Sequence, residues 1–155
     1  MGFLGKYFIY YIKQPDFWYA KAITFREKNN FKASIDYCTK LLERDSRNMD
    51  AFILRSECYF LNNQNKESFD DAKSAMSLNP ANPYPYSTIA QVYSILQDEE
   101  SEDFYYFMNE AIKRGFKLEC YLLEKGITER KNEERFQDLL KFRKNYAKLQ
   151  YGKCK

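Results

Sequence analysis

The chain has 155 residues, enough for one domain, or one domain with an appendage, whose core needs neither disulfides nor a metal. Its 45% hydrophobic and 30% charged residues, with 5 Gly and 4 Pro, exclude collagen-like and disordered classes. It contains no His, which excludes Ser-His and Cys-His nucleophile pairs, His general bases and His-containing metal sites, and a net charge of +3 is too small to indicate nucleic-acid binding by itself.

The first predicted element is an aromatic helix in residues 1–14, near 3–13. The 13 residues MGFLGKYFIYYIK contain five aromatic side chains and no acidic one, and Lys6 and Lys13 are their only charges. The run is too short to span a bilayer, and Lys6 interrupts the apolar stretch that a signal peptide needs. Two interpretations stay open: the segment packs onto the first repeat, or residues 1–13 bind a membrane surface or a partner protein.

Large aromatic residues recur with a 34-residue period over the middle of the chain. In each period one aromatic residue is followed seven positions later by another, with a small residue between them. Positions seven apart lie on one face of a helix, and a small residue between two large ones lets a neighbouring helix approach closely. The three sets are Trp18, Ala22 and Phe25; Phe52, Ser56 and Tyr59; and Tyr86, Ala90 and Tyr93.

The second half of each period repeats as well, so each unit predicts a pair of helices. Asn29-Asn30 and Asn62-Asn63 are typical of the turn within a pair, and Gly115 is typical of a helix end. The third unit is displaced by two residues after the acidic run 98–103. No segment alternates strictly enough to predict a strand. The predicted helices lie near 16–28, 31–44, 50–61, 65–78, 84–96, 102–114, 118–125 and 133–150.

These residues resemble the tetratricopeptide repeat (TPR), whose 34-residue pattern places aromatic and small residues at fixed offsets. Lys21, Arg55 and Ile89 stand where the family pattern has Leu. The resemblance implies an all-α fold, a TPR-type right-handed α-solenoid of antiparallel helix hairpins with capping helices. It covers residues 15–116, divided into repeats at 15–48, 49–82 and 83–116.

Residues 117–155 are predicted to form C-terminal capping helices and a basic tail. The run Arg135-Phe136 followed by Leu139-Leu140 resembles the helix that closes many bacterial TPR arrays, and the end of an array needs an amphipathic cap. Residues 125–155 carry ten Lys/Arg and four Asp/Glu, a net charge of +6. We interpret this charge as a solvated helix face, with an anionic partner as the alternative.

The resemblance also implies a binding surface, because the first helices of stacked TPR hairpins line a concave groove. Exposed apolar side chains there would indicate a peptide or helix from another protein as the ligand. The alternative is that the N-terminal or C-terminal helix of the chain fills the groove, so that these side chains belong to the core. The predicted partner-binding residues are Tyr19, Ile23, Arg26, Ile53, Glu57, Phe60, Tyr84 and Gln91.

One TPR subclass is excluded by its own residue requirements: the co-chaperones that grip the acidic C-termini of heat-shock chaperones. Their carboxylate clamp needs Lys, Asn and Arg at defined positions of the first helices. None of these residue types stands at the matching positions here, which are Tyr19, Ile23, Leu54, Tyr84 and Thr88.

We therefore expect a non-enzymatic protein–protein interaction scaffold, or a subunit of a larger assembly, without cofactor, catalytic residue or metal. The glycines are too dispersed for a phosphate loop, and the acidic run 98–103 lacks the spacing of an EF-hand. The alternatives are a small TPR chaperone or adaptor for secreted or membrane proteins, or a membrane-associated adaptor. Nucleic acid is disfavoured as a partner, because the aromatic residues follow the repeat period and are core residues first.

The four cysteines show no C-x-x-C spacing, and no secretory signal accompanies them. We expect three of them to be small core residues and one to be an exposed thiol. A cytoplasmic or other reducing intracellular compartment fits this usage, and a peripheral membrane location is the alternative.

Overall fold

The computed structural model describes residues 15–96, 102–121, 125–128 and 130–150, with side chains up to residue 144. These residues form seven α-helices and, as far as they reach, no β-strand, which confirms the all-α fold class. In chain order the helices are α1 (Pro15–Glu27), α2 (Phe31–Arg44), α3 (Met49–Leu61), α4 (Asn65–Leu78), α5 (Pro83–Leu96), α6 (Glu102–Lys113) and α7 (Glu134–Gln150).

Each of these seven helices begins and ends within one residue of its predicted bounds. The helix predicted over 118–125 is wrong: Leu118–Cys120 form a 3-10 turn, and residues 125–128 form a turn in which Gly126 adopts a φ of 79°. A positive φ cannot continue an α-helix, so the chain bends there. The helix predicted near 3–13 lies outside the described residues. Within the part of the chain that the structure describes, no helix is both long and apolar enough to cross a membrane.

The hairpins repeat in their backbone geometry as well as in their sequence. α1, α3 and α5 begin 34 residues apart, at Pro15, Met49 and Pro83. The turns that end α1 and α3 place Asn29 and Asn63 at φ 57° and 62°. In both turns the next backbone N–H donates to the carbonyl five residues earlier at 2.8 Å, which is the Schellman arrangement. Gly115 ends α6 in the same way at a φ of 101°, as predicted.

The contacts of the chain divide it into two units, one up to Leu78 and one from Asn79. In the first unit α2 packs on α1 and α3, and α4 packs on α3. The small residues predicted between the aromatic anchors, Ala22 and Ser56, are buried. Ser34 lies at the centre of this unit, where it donates to the carbonyl of Ala22 at 2.8 Å and accepts from the thiol of Cys58 at 3.2 Å.

In the second unit α5 packs on α6, and α6 packs on α7. Its core combines residues of all three helices with residues from the connection between α6 and α7. Phe104 and Phe136 stack with ring centroids 6.4 Å apart, which joins α6 to α7. The largest fully buried side chains of this unit are Pro85, Ile89, Val92, Phe104, Met108, Ile112, Leu118, Ile127 and Phe136.

The cysteines differ in exposure. Cys38 and Cys58 are fully buried as predicted, whereas Cys120 is exposed, and Cys154 lies outside the described residues. Burial raises the pKa of the Cys38 thiol to about 12 and that of the Cys58 thiol to about 11, which suppresses the reactive thiolate.

We expect iodoacetamide at pH 8 to alkylate Cys120 at least about a hundredfold faster than Cys38 or Cys58, because alkylation needs an accessible thiolate. Peptide mapping of a labelling time course measures the three rates separately. The denatured chain is the control, since all three thiols should react at similar rates there. Equal rates for Cys38 and Cys120 in the native chain would contradict the buried position of Cys38.

Candidate functional site

Six of the predicted binding residues come together in the first unit, on the facing sides of α1 and α3. We call this surface the α1–α3 face and define it by Tyr19, Ile23 and Arg26 on α1 and by Ile53, Glu57 and Phe60 on α3. On each helix the three positions are four and three residues apart, so they share one side. Tyr19 and Ile23 pack against the buried cluster that contains Leu54 and Cys58 of α3.

The exposure of the α1–α3 face is uneven. Tyr19, Ile23, Arg26, Ile53 and Glu57 are half-buried, whereas Phe60 is only 2% exposed. The expectation that Phe60 presents its ring to a ligand is therefore wrong. The accessible apolar part of the face is formed by Tyr19, Ile23 and Ile53.

Carboxylates dominate the charge of the α1–α3 face. Arg26 forms an ion pair with Glu57, which joins the two helices across the face. Burial raises the pKa of Tyr19, and the negative charges of Asp50 and Glu57 raise it further. Asp16 stands three residues before Tyr19, one turn away on the same side of α1. Three acidic side chains against one Arg make this surface net negative.

The two predicted binding residues of the second unit differ from each other. Tyr84 is 46% exposed and meets the ring of Phe116 edge-on, with centroids 6.2 Å apart. Gln91 is buried at 7% exposure, which contradicts its predicted place in an open groove. The reason is the turn at Gly126: a Cβ there would lie 2.9 Å from both the Cβ and the carbonyl oxygen of Gln91.

Residues 125–128 and Arg130 therefore cover the side of α5 that carries Gln91. Arg130 holds this segment in place, since its guanidinium donates to the hydroxyl of Ser94 at 3.2 Å and to the Ser94 carbonyl at 3.4 Å. It also pairs with Glu133 at 3.2 Å, and its side chain is only 4% exposed. The cover on this side of α5 is a turn that precedes α7, and not the C-terminal helix that the alternative interpretation named.

Arg55 and Asp71 form a largely buried ion pair that sequence reasoning missed. Arg55 donates to the two carboxylate oxygens of Asp71 at 2.6 and 2.8 Å and to the hydroxyl of Thr39 at 3.0 Å, which links α2, α3 and α4. In the first and third repeats the corresponding region holds stacked rings instead, Phe25 on Tyr37 at 5.5 Å and Tyr93 on Phe107 at 5.7 Å. The pair completes the core and is not part of a binding surface.

A cavity of about 450 Å³ lies between α6 and α7 in the second unit. An exposed ion pair between Arg135 and Glu102, at 2.8 Å, stands at its rim, and Glu133 accepts a hydrogen bond from the hydroxyl of Tyr105. The cavity is lined by Tyr105, Asn109, Lys113, Arg135, Asp138, Leu139 and Phe142.

Among the described side chains, no group of three or more Cys, Asp or Glu is arranged to hold a metal ion. The helices define the class of the protein as all-α, built from helices that pack against their chain neighbours. No protein-family model matches the chain, and no curated protein sequence matches it.

Proposed function

We propose that this chain is a TPR-like α-solenoid protein that acts as a non-enzymatic protein–protein interaction scaffold. The observation that carries the proposal is the α1–α3 face, a half-buried apolar surface of Tyr19, Ile23 and Ile53 bordered by carboxylates. The 34-residue spacing of the helix starts and the matching turns at Asn29 and Asn63 support the TPR-like assignment.

The chemistry of the face defines the ligand. Apolar side chains on two adjacent helices accept an amphipathic helix or an extended segment with aromatic and aliphatic anchors. The carboxylates of Asp50 and Glu57 favour a ligand with Lys or Arg beside those anchors and disfavour acidic tails. Because Gln91 is covered by the turn at Gly126 and by Arg130, we place the proposed binding surface in the first unit.

A selection of random peptides displayed on phage, with the full chain as target, tests this proposal. We expect the selected peptides to be aromatic and basic. We also expect the Ile53→Lys variant to bind them at least about tenfold more weakly, because a charge then enters the apolar part of the face. Fluorescence polarisation of labelled peptides measures the affinities.

Ser77→Lys is the matched control, because Ser77 is exposed on α4 and its hydroxyl only bonds the carbonyl of Lys73. This variant should bind the peptides like the original chain. Phe60 is not a suitable probe, since its replacement would remove a buried ring and unfold the unit. Selected peptides that bind Ile53→Lys as tightly as the original chain would refute the proposed site.

A further inference from the structure

We propose that residues 1–14 of this chain occupy the α1–α3 face in the free protein, so that an external partner must displace them. The inference rests on the proposed function, since it names the segment that competes for the same surface. Three independent features carry it: the composition of the two surfaces, the reach of the segment, and the way in which the second unit covers its corresponding face.

Segment and face are complementary in composition. Residues 1–13 carry five aromatic side chains, Lys6 and Lys13, and no acidic residue. The face offers the apolar surface of Tyr19, Ile23 and Ile53, with carboxylates around it. Arg26 is already paired with Glu57, so Asp16 and Asp50 are the carboxylates that Lys6 and Lys13 can approach.

The segment has the length that the face requires. Residue 14 directly precedes Pro15, the first residue of α1, so the segment is tethered at one end of the face. The distance along α1 from Pro15 to Arg26 is about 16 Å at 1.5 Å per residue. A segment of 14 residues spans about 21 Å as a helix and more than about 45 Å when extended, so it covers the face in either form.

In the second unit, the face of α5 that corresponds to the α3 side of the α1–α3 face is covered by another part of the chain. Positions 34 residues after Ile53, Glu57 and Phe60 are Ser87, Gln91 and Ser94, and all three are buried. Gly126 and Arg130, which follow α6 in the chain, contact this side of α5. The covering segment contributes a polar side chain, Arg130, to a polar residue of α5, Ser94. At the same positions the first unit has the apolar Ile53 and Phe60 and the acidic Glu57, so an aromatic and basic segment such as residues 1–14 is complementary to it.

Hydrogen–deuterium exchange of the full chain tests the proposal. We expect the amides of residues 3–13 to exchange at least tenfold more slowly than in a synthetic peptide of residues 1–14. In the Ile53→Lys variant, the amides of residues 3–13 should exchange at least tenfold faster than in the original chain. In the Ser77→Lys variant, their exchange rates should not change. Circular dichroism establishes that each variant remains folded.

Asp50→Lys provides a second variant that cannot unfold the chain by cavity formation, because Asp50 is exposed. It should accelerate exchange in residues 3–13 several-fold through repulsion of Lys6 and Lys13, and the added change Lys13→Glu should reverse this effect. Exchange at the free-peptide rate in the original chain overturns the proposal. So does slow exchange that neither Ile53→Lys nor Asp50→Lys alters, which would place the segment on another surface.

Anionic vesicles of phosphatidylserine and phosphatidylcholine test whether residues 1–14 bind a membrane surface instead of the α1–α3 face. Exchange that is fast in buffer and slow only with vesicles would overturn the proposal in favour of a membrane surface. None of these outcomes depends on the phage-selected peptides. The exchange experiment and the peptide selection therefore test the position of residues 1–14 and the proposed function independently. If both hold, the selected peptides should bind the variant Lys6→Glu/Lys13→Glu more tightly than the original chain, because the competing segment is weakened.

Discussion

Replacing Asp71 with Ala is expected to lower the free energy of unfolding by about 3–5 kcal/mol, because Arg55 would then remain buried without its carboxylate. The side chains of Arg55 and Asp71 are 16% and 9% exposed, so water cannot replace the lost partner fully. Urea unfolding followed by tryptophan fluorescence measures the change. Trp18, the only tryptophan of the chain, packs against the core cluster of Leu41, Leu42 and Ala51 and reports on the first unit.

Two control variants define what this result means. Asp70→Ala removes an exposed carboxylate next in sequence and should change the free energy of unfolding by less than about 0.5 kcal/mol. The double variant Arg55→Leu/Asp71→Leu removes both charges and should stay within about 1.5 kcal/mol of the original chain, since apolar side chains replace a buried pair well. An Asp71→Ala variant as stable as Asp70→Ala would show that the ion pair is not formed.

Replacing Gly126 with Ala is expected to destabilise the second unit by about 2–4 kcal/mol, from a collision and a strained backbone together. The new Cβ would lie 2.9 Å from the carbonyl oxygen of Gln91 and 3.0 Å from its Cα, and neither atom can rotate away. The residue would also have to adopt a φ of 79°, which L-amino acids rarely adopt. Hydrogen exchange of peptides covering α5 and α6 measures the loss of protection in this unit.

Gly115→Ala is the matched control for this prediction. Gly115 also has a positive φ, of 101°, but no atom lies within 4 Å of the position that its Cβ would take. The variant should therefore lose only the backbone contribution, about 1–2 kcal/mol. Equal losses for the two glycines would mean that the segment around Gly126 does not lie on α5.

The helices were predictable because their signals are local. The aromatic and small residues of one hairpin lie within 34 positions of each other, and turn residues such as Asn29 and Gly115 mark the helix ends. Even the displacement of the third unit by two residues is reproduced: Arg44 lies over Trp18 at 4.8 Å in the first repeat, and Arg114 lies over Tyr86 at 4.0 Å in the third.

The contacts that cover predicted binding residues or complete the core were not predictable, because they join residues that are distant in sequence. Gln91 is buried by a turn that begins more than thirty residues later, and no local pattern around Gly126 indicates that its backbone will lie on α5. Arg55 places a cation among the large aromatic residues of α3, and only its partner Asp71 on the next helix explains how that cation is tolerated there. The burial of Phe60 likewise depends on packing rather than on spacing.

The cover that Gly126 and Arg130 provide for α5 sets an affinity threshold for any competing ligand. A tethered segment acts at an effective concentration on the order of millimolar, and it is never diluted. A free peptide at micromolar concentration must therefore bind α5 about a thousandfold more tightly than this tethered cover does before it can replace it. The side of α5 that carries Gln91 is therefore protected by the high effective concentration of a tethered segment as well as by packing.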